Sequence, residues 1–128
     1  MKRIVVVAAV ALVAAGCGKP GTKLYTEQAS AACLQKAGVK AGPVGNSDFV
    51  ASSATGGAFR APLTDNEVTV SFGETLTDAD NIDQAYRRFR AKNVGIDDVL
   101  RTQGNAIMLW HQHPTDADIA TITGCLSS

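Results

Sequence analysis

His111-Gln112-His113 sets two imidazoles two positions apart. In an extended chain, residues at i and i+2 point to one side, so both rings can reach one zinc or copper ion. Asp116 and Asp118 follow close behind, although structural zinc asks for four ligands. The plainer reading of the pair is a polar strand end before Pro114. Two aspartate pairs, Asp78/Asp80 and Asp116/Asp118, are spaced for acid–base work or calcium. Each also suits the first turn of a helix, where carboxylates meet unpaired N–H groups and the positive end of the dipole. Arg87, Arg88 and Arg90 fit an anionic partner, and equally a helix carboxyl end. Three cysteines, Cys17, Cys33 and Cys125, complete the reactive set.

Several function classes find no support. The chain has 128 residues with 12 basic and 12 acidic side chains, so it lacks the clustered positive excess of a nucleic-acid binder. No Gly-x-Ser-x-Gly elbow, phosphate-cradling glycine loop or dinucleotide fingerprint occurs. The expectation is a non-catalytic protein without a cofactor. At this length there is room for one hydrophobic core.

The elements that would position these groups read as follows. Thr26 caps a first helix with Glu27 in its first turn, and Ala29, Cys33 and Ala37 share a face up to a stop at Gly38. Residues 38–57 are broken by glycine and proline. A structureless loop of about 20 residues is uncommon in a compact domain, so a short helical turn is expected after Ser47, with Phe49 or Val50 as its anchor. The remainder carries an internal repeat: Thr77-Asp78-Ala79-Asp80 recurs 38 positions on as Thr115-Asp116-Ala117-Asp118. The same offset lays Val68, Val70 and Phe72 on Ala106, Met108 and Trp110, and Leu63-Thr64-Asp65-Asn66 on Arg101-Thr102-Gln103-Gly104.

Each half then reads as strand, turn, strand, helix, with turns at Asp65-Asn66 and Gly104-Asn105. The threonines opening the two repeats are read as helix caps. The middle helix presents Ile82, Ala85, Tyr86 and Phe89 inward and Arg87, Arg88, Arg90 and Lys92 outward, with Gly95 ending the region. In the last helix Ile119, Ile122, Cys125 and Leu126 share a face. In the second hairpin Ile107 and Leu109 take the side where the first has Thr69 and Ser71. That apolar face needs cover from the first helix, from residues 38–57, or from an envelope protein or second copy, with His111 at its rim.

At the amino terminus Met1-Lys2-Arg3 precedes an unbroken apolar run, Ile4 through Ala15. Twelve residues span roughly 18 Å as a helix, short of a hydrocarbon core of about 30 Å, so the segment reads as a secretory signal. Ala14-Ala15-Gly16-Cys17 resembles the lipobox of bacterial prolipoproteins, with Ala14 where Leu, Ile or Val is usual. The resemblance covers about 20 residues. It implies that Cys17 receives a diacylglyceryl group and becomes the first residue of a protein held at the extracytoplasmic face of the membrane. An ordinary signal peptide cut near Ala15, leaving a spare thiol at Cys17, is the other reading.

With Cys17 committed to lipid, Cys33 and Cys125 remain as a pair that an oxidising compartment would bridge, or else as two buried thiols. A closed loop of about 90 residues is worth ~4–5 kcal/mol in the chain-entropy view. The expected organisation is a signal peptide over 1–16, a tether over 17–24 and one α+β domain over 25–128. That domain is a first helix followed by duplicated hairpin–helix units, forming a four-stranded antiparallel sheet packed with helices and one disulfide. The function expected is a non-catalytic binding or structural module, partnered by the membrane through its anchor and by no nucleic acid. The alternative is a metal-binding lipoprotein using His111 and His113.

Overall fold

A computed structural model describes residues 24–90 and 95–128. Cys17, the signal segment, most of the tether and Lys92 lie outside the described residues. The elements run α1 (Glu27–Lys36), α2 (Phe49–Ser52), β1 (Ala58–Pro62), β2 (Glu67–Phe72), α3 (Leu76–Arg90), α4 (Ile96–Val99), β3 (Leu100–Gln103), β4 (Ala106–Trp110) and α5 (Asp116–Thr123). The four strands form one antiparallel sheet in the order β1-β2-β4-β3. This is the α+β class expected from the pattern. No helix among the described residues is long and apolar enough to cross a membrane.

The 38-residue repeat is built into the register. Val70 pairs with Met108, its own counterpart, and Val68 pairs with Trp110 while Phe72 pairs with Ala106. Exchanging each residue for its counterpart turns the second of these pairs into the third. The two hairpins therefore meet about a local two-fold through the Val70–Met108 pair. Their turns differ: Leu63 to Asn66 forms a four-residue connection closed by Leu63 N–H to Asn66 O (2.8 Å), whereas Gly104-Asn105 is a two-residue turn. Gly104 takes φ +56°, a value for which glycine is the residue without steric cost.

The helices break the two-fold. On one face Leu34 of α1 and Ile122, Cys125 and Leu126 of the α5 region pack on Phe59, Ala61, Val68, Val70, Phe72, Ala106, Met108 and Trp110. On the other, Val50 of α2 and Ala79, Ile82 and Tyr86 of α3 cover Leu100, Ile107 and Leu109. Central strand β4 is consequently buried on both sides. The cover for Ile107 and Leu109 is the middle helix, together with a residue from the 38–57 segment.

Helix ends follow local chemistry, with some shifts from expectation. Thr26 caps α1, and Val39 N–H to Leu34 O (2.9 Å) with Gly38 N–H to Gln35 O (3.1 Å) close its far end, Gly38 at φ +84°. The buried face of α1 is Ser30 and Leu34, with Cys33 half-buried at its edge and Ala37 exposed. Thr115 and Asp118 form a full capping box on α5. The cap of α3 is Thr75, not Thr77: its hydroxyl accepts from Asp78 N–H at 3.1 Å. Gly73 permits this earlier start, because α3 begins so close that a Cβ there would lie 2.4 Å from Ala79 N. The short helix α2 is capped by Asp48 instead of Ser47; Val50 is its anchor, and Phe49 is 73% exposed. Phe89, expected inside, is 66% exposed. Gly95, at φ +100°, is the residue that caps α4.

Candidate functional site

The outer face of the sheet has two unlike halves. Over β3 and β4 it is apolar and covered by α3. Over the upper part of β1 and β2 it carries Arg60, Glu67 and Thr69, which no helix covers. There it opens into a polar groove of about 250 Å³, walled by Gly45, Ser47 and Asp48 on one side and His111 on the other. The tightest feature of the groove is the Arg60–Glu67 pair, Nε to Oε1 at 3.1 Å and Nη2 to Oε2 at 2.7 Å. The guanidinium accordingly sits above its ordinary value, through the hydrogen bonds first and the carboxylate charge second. Planar, two-bond geometry of this kind fixes both side chains more firmly than a single contact would.

Asp48 is held for structural reasons. Its Oδ1 accepts from Ala51 N–H at 2.9 Å, and the carboxylate accepts from Tyr86 O–H at 3.1–3.3 Å. The same carboxylate thus caps α2 and ties it to α3. Ser47, Asp48 and His111 share the groove, but Asp48 is turned to Tyr86 and the helix cap, and no hydrogen bond joins Ser47 to His111 among the described residues. A nucleophile, base and orienting acid are therefore not lined up.

The residues singled out from the sequence are distributed as follows. His111 lies at the end of β4, exposed, its N–H donating to Glu67 O at 2.8 Å. Ile107 and Leu109, read as a face needing cover from within the chain or from a partner, are 0% and 6% exposed beneath α3 and belong to the core, so they do not form a partner surface. Of that proposed surface only His111 remains accessible. His113 faces elsewhere: its Nδ1 lies 2.6 Å from Asp98 Oδ1, linking the β4–α5 connection to α4. The two histidines thus have different neighbours, and no group of three or more His, Cys, Asp or Glu among the described residues is placed to hold a metal ion. Asp116 and Asp118 serve the start of α5. Arg87 bonds Asp83 (2.8 Å) and Asp97, which keep its guanidinium above the usual value.

Cys33 and Cys125 are joined, Cα to Cα 5.3 Å across 92 positions. Compared with protein-family models, with curated proteins and with solved structures, the chain matches none.

Proposed function

We propose that the protein is a bacterial envelope lipoprotein, anchored through Cys17, whose folded domain is a non-catalytic binding module. One observation carries the anchor. The bond between Cys33 and Cys125 leaves Cys17 as the cysteine with no partner in the fold, and it stands in the lipobox-like run Ala14-Ala15-Gly16-Cys17. A spare thiol in an oxidising compartment is a liability, and a thioether bond from its sulfur to a diacylglyceryl group removes it. The tether that would follow, Gly18 to Lys23, reaches at most about 20 Å, which keeps the domain close to its membrane.

The binding role rests on the polar groove. Guanidinium, carboxylate, hydroxyl and imidazole groups line it, and its Arg60–Glu67 pair is carried by β1 and β2, not by a free loop. Such a surface suits a polar partner. Cys17→Ala tests the anchor: the unsubstituted chain stays with the membrane fraction after a high-salt wash, and the variant moves to the soluble fraction. Equal retention of both in the membrane would overturn the reading.

A further inference from the structure

The exposed aromatic pair on the far side of α3 has no role in the groove. Phe49 and Phe89 stand 73% and 66% exposed, facing each other across a cleft between α2 and α3 of about 200 Å³. Val50, Ile82 and Ala85 form its apolar wall, and Asp78 lies at its lower end. Two large exposed rings beside an apolar cleft mark an interaction surface in a soluble domain. The cleft is large enough for one more ring, since an apolar cavity of about 150 Å³ holds benzene.

The occupant follows from the pattern along α3. Asp78, Asn81, Ala85 and Arg88 recur at spacings of three, four and three, so they form one stripe on the flank of the helix beside the cleft. The stripe is acidic at its start, basic at its end and small near its middle. Positions 78 and 88 lie symmetrically about position 83, as do 81 and 85. Asp83 itself points to another side of the helix, toward Arg87 and Thr102. Laid antiparallel on a copy of itself, the stripe sets each Asp78 opposite Arg88, sets Asn81 opposite the small Ala85, and brings each Phe89 over the other copy's cleft. A surface that complements itself in this way is what a two-fold interface requires.

We propose that the protein forms a two-fold dimer through antiparallel packing of α3, with Asp78–Arg88 contacts between copies and a Phe89 ring toward each end of the interface. Arg88 forms no ion pair within the described chain, unlike Arg87, and is free to meet the partner's carboxylate. The proposal does not depend on the lipid anchor.

Charge exchange tests it on the whole chain in density-matched detergent. The unsubstituted protein is expected to sediment as a dimer. Arg88→Asp and Asp78→Arg each place like charges across the interface and are expected to raise the dissociation constant at least about tenfold. Mixing the two variants restores both attractive contacts, so a tagged Asp78→Arg chain should capture Arg88→Asp, and the double variant should dimerise with itself. Circular dichroism verifies that each single variant stays folded, and Phe89→Ser should weaken the dimer without loss of fold. A monomeric parent chain would overturn the proposal, as would folded single variants that fail to associate when mixed. Vesicles of anionic phospholipid supply a further arm. Monomeric chain that binds them through Phe89 would assign the face to lipid and overturn the dimer.

Discussion

Asn105 joins distant parts of the chain through one buried side chain. Buried to 1% exposure, it accepts from Tyr25 N–H at 2.6 Å and donates to Tyr25 O at 2.9 Å and Gly73 O at 2.8 Å. It thereby pins the entry of the chain, the end of β2 and the start of β4 to one another. Asn105→Ala removes three bonds of about 1 kcal/mol each and leaves buried backbone groups without partners. A loss of about 3 kcal/mol in urea unfolding is expected, a large part of the stability of a small domain. A change below about 0.5 kcal/mol would show that water replaces the side chain. Asn105 was legible only as a turn residue, because propensity sees its neighbours in sequence and not Tyr25, 80 positions away. Ser30 was hidden for the same reason: its hydroxyl accepts from Ser127 N–H at 3.0 Å, a partner supplied by the other end of the chain.

Among the elements, β4 and α3 decide the architecture together. Ala-Ile-Met-Leu-Trp is apolar at every position, so its alternation gives no face to water, and a strand of that kind needs cover on both sides. The sequence pattern located the strand and put Ala106, Met108 and Trp110 on the core side, but could not say with what it pairs or which helix takes which side. That choice is set by the short Gly73–Thr75 connection and by how closely α3 approaches it, both tertiary facts. The same uncertainty about helix rotation explains Phe89: helical spacing puts it near Ile82 and Tyr86, yet it lies beyond the edge of what those residues cover. Leu109→Asp places a carboxylate beneath α3 and is expected to abolish cooperative folding, a cost of more than about 4 kcal/mol. Phe89→Ser, melted at a concentration where both chains are monomeric, should change stability by less than about 0.5 kcal/mol. Thermal melts of both variants check the contrast, and a well-folded Leu109→Asp chain would mean that α3 does not cover β4.

Across the whole molecule, the beginning and end of the domain are fastened together. The disulfide joins α1 to the segment after α5, and beside it Thr26 N–H donates to Ser127 O at 2.8 Å. Replacing both Cys33 and Cys125 with alanine is expected to lower stability by about 2–5 kcal/mol, read by urea unfolding, with the sheet retained in what still folds. No loss would show that the hydrogen bonds at Ser30, Thr26 and Asn105 suffice as the clasp. At this scale the sequence was most informative, because cysteine parity, the 38-residue repeat and the capping threonine of α5 are all written locally. The polar groove was not legible as a unit. Its walls come from residues 45, 47, 48, 60, 67, 69 and 109–111, and only pairing of β1, β2 and β4 brings them together.

The intact mass of the protein purified from bacterial membranes tests the account most directly. The expected species begins at Cys17, carries a diacylglyceryl group on it, and is two hydrogens lighter than the reduced chain through the Cys33–Cys125 bond. A chain bearing an unmodified thiol at Cys17, or one in which Cys33 and Cys125 are both reduced, would contradict it.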